Sequence, residues 1–259
     1  MKKIGIFLAF TLSVVIVVAQ QWPVNLLSLN NCNKLNPGLP VKTTNFFSAK
    51  SISIPGMLFI YGAASLKVEG LKNLNLEVKE EIQEHHAGFN TNADDYLQFA
   101  PASGAFLLEA HGIKGKHGLK DKAIIYSMAL VIMTSVVSSL KKITHELRPN
   151  GSQFNSFPSG HTANAFMGAA FLNQEYAFRS PVYGYAGYTT AAGTGILRIY
   201  NNKHWFTDVL AGAGIGILSA KASYYIFSRI EKIRQLKYRR KVQKNSGTAL
   251  PFFIQPGNK

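Results

Sequence analysis

Five apolar runs follow one another between residues 96 and 228, at 96–113, 123–140, 160–173, 182–199 and 207–228. A bilayer core needs about twenty apolar residues per crossing helix, so each run is long enough or nearly so, and 160–173 is the shortest fit. Several are dense in Gly, Ala, Ser and Thr, as expected where membrane helices pack closely. Charged residues make up only 16% of the chain, against about 25% in soluble domains. The expected fold class is therefore all-α, a membrane helical bundle.

The start of the chain, MKKIGIFLAFTLSVVIVVAQQ, places two lysines before an apolar stretch, with Val17 and Ala19 at cleavage-compatible positions. Residues 1–20 thus read as a signal peptide or N-terminal anchor. Residues 21–94 read as an exported, partly helical segment. Within it, Pro55 interrupts the short apolar run 51–66, which suits an interfacial or packed element better than a span. A surface helix is expected around LEVKEEIQEHH. The densest basic segments are KGKHGLKDK (114–122) and SRIEKIRQLKYRRKVQK (228–244). Keeping both cytoplasmic gives five spans, or six with an uncleaved anchor, in a core over 95–228. A basic cytoplasmic tail, 229–259, follows, and with Ile230, Ile233 and Leu236 at helical spacing it most simply extends the last helix.

That orientation brings four helix ends together on the exported side of a cytoplasmic (inner) membrane: the ends of 123–140 and 182–199, and the starts of 160–173 and 207–228. Lys141 and Arg148 lie seven apart, on one side if the helix continues, although Pro149 disfavours helix at the residue before it. Ser159, Gly160 and His161 stand at a helix start, where free N–H groups and the dipole favour an anion. Arg198 closes the 182–199 run, and His204 and Asp208 share a face if the next helix starts early. Three clustered cations repel one another unless an anion joins them, and a tetrahedral phosphate suits the group.

Three motifs carry these residues: KKITHELRP (141–149), PSGH (158–161) and LRIYNNKHWFTD (197–208). Read as K-x6-R-P, P-S-G-H and R-x5-H-x3-D, they resemble the signatures of the type-2 phosphatidic acid phosphatase superfamily over roughly residues 95–228. Leu197 stands where the third signature usually has serine. The resemblance implies a metal-independent phosphatase with no cofactor. His204 would be the nucleophile that forms a phosphohistidine, Asp208 its orienting carboxylate and His161 the general acid. Lys141, Arg148, Ser159, Gly160 and Arg198 would bind the phosphate. It leaves two alternatives behind that reading, a broad-specificity exported acid phosphatase and a vanadate-dependent haloperoxidase, which shares the pocket.

The expected partners are a phosphorylated lipid or small phosphate ester and the surrounding membrane lipids. The net charge of +15 suits anionic headgroups and phosphates. No nucleic-acid-binding motif is visible, and no nucleic acid is expected as partner. Lone Cys32 excludes an internal disulfide and any multi-cysteine metal site. His145 reads as a surface histidine and His85 and His86 as unsupported metal ligands, while Glu109 is expected to pair with Lys114 or Lys116. Trp205, Tyr200 and Phe206 suit helix ends at the membrane interface.

Overall fold

In a computed structural model of the protein, residues 49–246 are described, and among them every regular element is a helix. The N-terminal signal or anchor and Cys32 lie outside the described residues, as do the last thirteen positions. The helices are α1 (Ala49–Ala64), α2 (Glu69–His85), α3 (Ala93–Leu97), α4 (Ala100–Ala110), α5 (Leu119–Thr144), α6 (Gly160–Tyr176), α7 (Val182–Tyr200) and α8 (Phe206–Ser246).

Helix α6 is the pillar of the bundle. Almost every residue from Thr162 to Tyr176 is buried, and α4, α5, α7 and α8 all pack against it. Such enclosure demands small side chains, which is why this short run reads GHTANAFMGAA. A Cβ on Gly212 of α8 would lie 2.5 Å from the Ser159 carbonyl oxygen, and one on Gly216 would collide with the Ala163 carbonyl. Gly62 of α1 sits equally close to α8, where its Cβ would be 2.5 Å from the Thr207 carbonyl oxygen.

Helices α5 and α8 are each long and apolar enough to cross a membrane. They differ in setting: 22% of the apolar window of α5 is buried by the protein against 78% of that in α8. Most of the apolar surface of α5 is thus left uncovered by the protein, whereas α8 is central. The run at 51–66 is helical despite Pro55 and packs along α8. Helices α1 and α2 together would pass as a span, but they meet at 91°. The turn lays α2 across the start of α8. There Asn75 Nδ2 donates to Thr207 Oγ1 at 2.8 Å and Asn75 Oδ1 accepts from the Thr207 N–H at 3.2 Å. Ser65 Oγ adds a 2.9 Å bond to the same hydroxyl. The Asn75 carbonyl therefore satisfies one of the N–H groups that a helix start leaves unpaired.

One expectation changes in detail and another holds. The run 96–113 is divided between α3 and α4, with Pro101 in the first turn of α4, and it is too short in either piece to cross alone. The basic tail does extend the last helix, as far as Ser246.

Gly216→Ala should lower the thermal midpoint in detergent, by an amount equivalent to about 1–3 kcal/mol of overpacking. Gly104→Ala, which has nothing within 4 Å of its new methyl group, should leave the midpoint unchanged or raise it slightly. Equal midpoints for both variants would show that the α6–α8 contact yields freely.

Candidate active site

Helix α5 ends at Thr144, with His145 closing it in the left-handed conformation at φ 46°. The helix does not continue to Arg148, so the seven-residue spacing is not a helical register. Lys141 and Arg148 meet through the following loop instead. Lys141 Nζ donates to the Asn155 carbonyl, and Arg148 Nε donates to Asn155 Oδ1 at 2.8 Å. The loop is closed on itself by Arg148 N–H to the Gln153 carbonyl and Ser156 N–H to the Glu146 carbonyl. Asn155 is thus the hinge that holds two cations side by side.

Ser159 caps α6 with extended backbone at φ −70°, ψ 112°. Its N–H donates to the Asp208 carbonyl at 3.1 Å, tying the start of α6 to the start of α8. Its hydroxyl lies buried, 2.8 Å from Thr162 Oγ1, so one of its hydrogen-bonding positions is taken up inside the helix. Gly160 and His161 follow in the first turn.

Arg198 occupies the last turn of α7 and is buried against α3. Its Nη1 donates to Asp94 Oδ2 at 2.5 Å and stands 3.8 Å from Asp95 Oδ1, while among the described residues its buried Nε has no hydrogen-bond partner. Asn201 Nδ2 donates to Asp94 Oδ1 at 2.9 Å, so both Asp94 oxygens are engaged. His161 Nε2 lies 2.8 Å from Asp95 Oδ1.

His204 lies in the α7–α8 turn, with its side chain only 2% exposed. Helix α8 starts at Phe206, after His204, so the pair with Asp208 is not formed along a helix face. His204 Nδ1 is 3.6 Å from Asp208 Oδ2, beyond a hydrogen bond. Asp208 Oδ2 instead accepts from Ser156 Oγ at 2.5 Å and from the Trp205 N–H at 2.9 Å. The second contact is half of a capping box, in which a side chain three residues into the helix satisfies the cap N–H. Burial first, then the positive charges of Lys141, Arg198 and Arg148, hold the His204 imidazole well below the ordinary histidine range. The Ser156 carbonyl acts in the opposite direction and is outweighed. Three cations from three separate segments thus lie near enough to act on one buried imidazole and to oppose its protonation.

Four participants had no signal in the motifs. Asp94 and Asp95 sit on a five-residue helix without apolar periodicity, and Asn155 and Ser156 sit in an irregular loop. Only their proximity to the motifs in sequence, for the loop pair, could have drawn notice. Ligand atoms of Asp94, Asp95 and His161 lie within 4.8 Å of one another. The Arg198 and Asn201 bonds occupy Asp94 fully, and the group is an ion-pair cluster by its contacts. Of the remaining candidates, His145 is exposed, His85 Nδ1 bonds the carbonyl of Glu81, and His86 stacks near Tyr200. Glu109 is paired, but with Lys122 Nζ at 2.6 Å and not with Lys114 or Lys116. Trp205 is anchored by its Nε1–H on the Leu147 carbonyl, with Lys79 of α2 over its ring.

Residues 122–232 match the family model of the PAP2 superfamily. The chain is similar to lipid A 1-phosphatase of Porphyromonas gingivalis, with 38% identity over 167 residues, covering 62% of this chain and 38% of that protein. It is also similar to probable lipid phosphate phosphatase 4 of Arabidopsis thaliana, with 34% identity over 103 residues, covering 36% of this chain and 32% of that one. The chain therefore spans 38% and 32% of the length of these two relatives. Among solved structures, Aquifex aeolicus LpxE is similar at 25% identity and a TM-score of 0.43, over 56% of this chain and 93% of that one. A PAP2-type phosphatidylglycerolphosphate phosphatase from Bacillus subtilis is similar at 21% and 0.46, over 68% and 97%.

In NMR spectra of histidine-labelled protein in detergent, the His204 imidazole should titrate with a midpoint well below 6.5, the ordinary histidine value. Lys141→Met removes one cation that opposes protonation and should move that midpoint upward. A wild-type midpoint at or above 6.5 would contradict the electrostatic picture.

Proposed function

We propose, with residues 122–232 as a PAP2 superfamily segment for premise, that this membrane protein is a metal-independent lipid phosphatase. The reading rests on one arrangement: Lys141 and Arg148 held side by side on Asn155, Arg198 held on Asp94, and the buried His204 near Asp208, close enough for the three charges to act on the imidazole. Its substrate would be the phosphate monoester or pyrophosphate of a membrane lipid, with a lipid A-type 1-phosphate as the first to test, given the Porphyromonas relative.

The chemistry follows from the groups present. A phosphoryl group in transfer spreads negative charge over its nonbridging oxygens, and positioned cations lower the barrier by holding that charge. Lys141, Arg148 and Arg198 supply three, with the Ser159 hydroxyl and the Gly160 N–H at the helix start as further donors. With this much fixed positive charge, the site needs no divalent ion to neutralise the phosphate. His204 must be neutral to attack, as its surroundings dictate. Its Nδ1 faces Asp208 and leaves Nε2 to form the N–P bond as the P–O bond to the lipid breaks. The 3.6 Å gap has to close as the imidazole gains positive character, since such contacts tighten in the reacting complex. His161 gives its proton to the departing oxygen. It then takes one from water, whose oxygen attacks phosphorus, breaks the N–P bond and frees inorganic phosphate.

The basic tail and the basic loop before α5 favour, under the positive-inside rule, a site on the exported side of the cytoplasmic membrane. Trp205 beside the catalytic imidazole and the exposed apolar side of α5 suit a substrate that arrives within the bilayer leaflet.

Phosphate release from purified protein should be unaffected by EDTA and abolished by His204→Ala; activity within tenfold of wild type in that variant would remove the assignment. Asp208→Asn should cost about two to four powers of ten, as for other histidine-orienting carboxylates. In a panel of lipid A 1-phosphate, phosphatidate, phosphatidylglycerol phosphate and undecaprenyl pyrophosphate, at least one lipid should exceed a soluble aryl phosphate in kcat/KM. Equal rates across the panel would favour a broad acid phosphatase.

A further inference from the structure

The cluster around His161 contains a carboxylate that none of the three motifs includes. Asp95 Oδ1 lies 2.8 Å from His161 Nε2. Its neighbour Asp94 is 1% exposed and has both oxygens engaged, by Arg198 and Asn201. Asp95 is 52% exposed, and its closest charged contact is the imidazole. The segment that carries both is fixed on the end of α7. Thr91 N–H donates to Asn201 Oδ1 at 2.9 Å, Asn201 Nδ2 donates to the Thr91 carbonyl at 2.8 Å, and Arg198 holds Asp94. A half-exposed side chain is thus delivered to His161 by a backbone that has little freedom to move.

We propose that Asp95 is the positioning residue of the proton donor, accepting the His161 Nε2–H so that Nδ1 is the nitrogen that exchanges protons with the leaving oxygen and with water. This rests on the lipid phosphatase reading and adds a second histidine–carboxylate pair to it, beside His204 and Asp208. The physical need is specific. The charged groups facing His161 are Asp94 and Asp95 from α3 and Arg198 from α7. Arg198 opposes an imidazolium, and the Asp94 charge is already neutralised by Arg198. Asp95 is the carboxylate available to sustain the charged form before transfer. After transfer the same contact fixes the neutral tautomer with its proton on Nε2, so the Nδ1 lone pair can accept a proton from water. Nothing is gained or lost across the two steps: the proton given to the alcohol is replaced by the one taken from water.

The test uses the full-length enzyme in mixed micelles, with kcat measured from pH 5 to 9 on an alkyl phosphate lipid and on p-nitrophenyl phosphate. Asp95→Asn keeps an acceptor but removes the charge, so His161 should lose its proton at lower pH. The basic limb of the alkyl profile should move down by about one pH unit, with about tenfold lower kcat above it. The aryl substrate, which leaves without much protonation, should lose under about threefold, and KM should stay within about twofold for both. Asp95→Glu, measured alongside, should restore the alkyl profile. Superimposable profiles for wild type and Asp95→Asn, or equal losses on both substrates, would overturn the proposal. So would higher activity with a lower KM, which would make Asp95 a competitor for the anion site. A wild-type enzyme that releases no phosphate, or an active His204→Ala variant, would instead remove the phosphatase reading beneath it.

Discussion

Like-charge repulsion at one end of the bundle governs this structure. Lys141, Arg148 and Arg198 come from three segments and still share one small volume around a buried imidazole. Such an arrangement stands only if each cation has a local partner, since an uncompensated buried charge is costly. Arg198 has Asp94, and Lys141 and Arg148 have the carbonyl and the side-chain oxygen of Asn155. These partners differ in kind. Asp94 neutralises a charge outright, whereas a neutral asparagine only solvates two. The pair on Asn155 therefore has no carboxylate bonded to it and feels only the more distant charge of Asp208, while Arg198 is held in place by an ion pair with Nε still free of partners among the described residues.

The residues proposed to meet phosphate were legible because phosphoryl chemistry restricts such groups to a few side-chain types at fixed spacings. Lys141, Arg148, His161, Arg198, His204 and Asp208 are all found from the three motifs. What the motifs misled on was geometry. The K-x6-R spacing resembles two helical turns, yet α5 stops at Thr144 and the loop does the work through Asn155. The H-x3-D spacing resembles one turn, yet His204 precedes the helix and Asp208 doubles as its capping carboxylate. Spacing is a constraint on chain length between groups, and a loop can meet it as well as a helix can. Asp94, Asp95 and Ser156 stayed invisible for a different reason: each acts on a motif residue across tens of positions, and nothing local marks it.

The fold divides along the same line. Apolar runs long enough for a membrane identify α5 and α8 directly, because hydropathy is a local property. The role of α6 is not local. On length it was the weakest of the five runs, and in the structure it is the most enclosed. Its small residues signal close packing, but which helices approach is decided by Gly212 and Gly216, half a domain away in sequence. Likewise, nothing in the run 51–66 says that the chain turns through 91° after it, so that Asn75 can satisfy the N–H of Thr207 next to Asp208.

The far end of α6 completes the picture. Glu175 is fully buried, accepts from Tyr224 of α8 at 2.6 Å and lies 2.7 Å from His117 Nδ1, while its second oxygen accepts the His117 N–H at 2.9 Å. Beside it, Lys122 Nζ donates to Glu109 and to Tyr176, each at 2.6 Å. This polar cluster joins α4, α5, α6 and α8 to the basic loop, which explains why the densest charge in the chain includes a lysine with no exposure at all. A helix of small residues gains little from each contact and could slide along its neighbours. Anchored by directional bonds at Glu175 and Tyr176, and at its other end by the Ser159 N–H on Asp208, α6 has a fixed height in the bundle. His161, two residues from that second anchor, inherits its position relative to His204 from both.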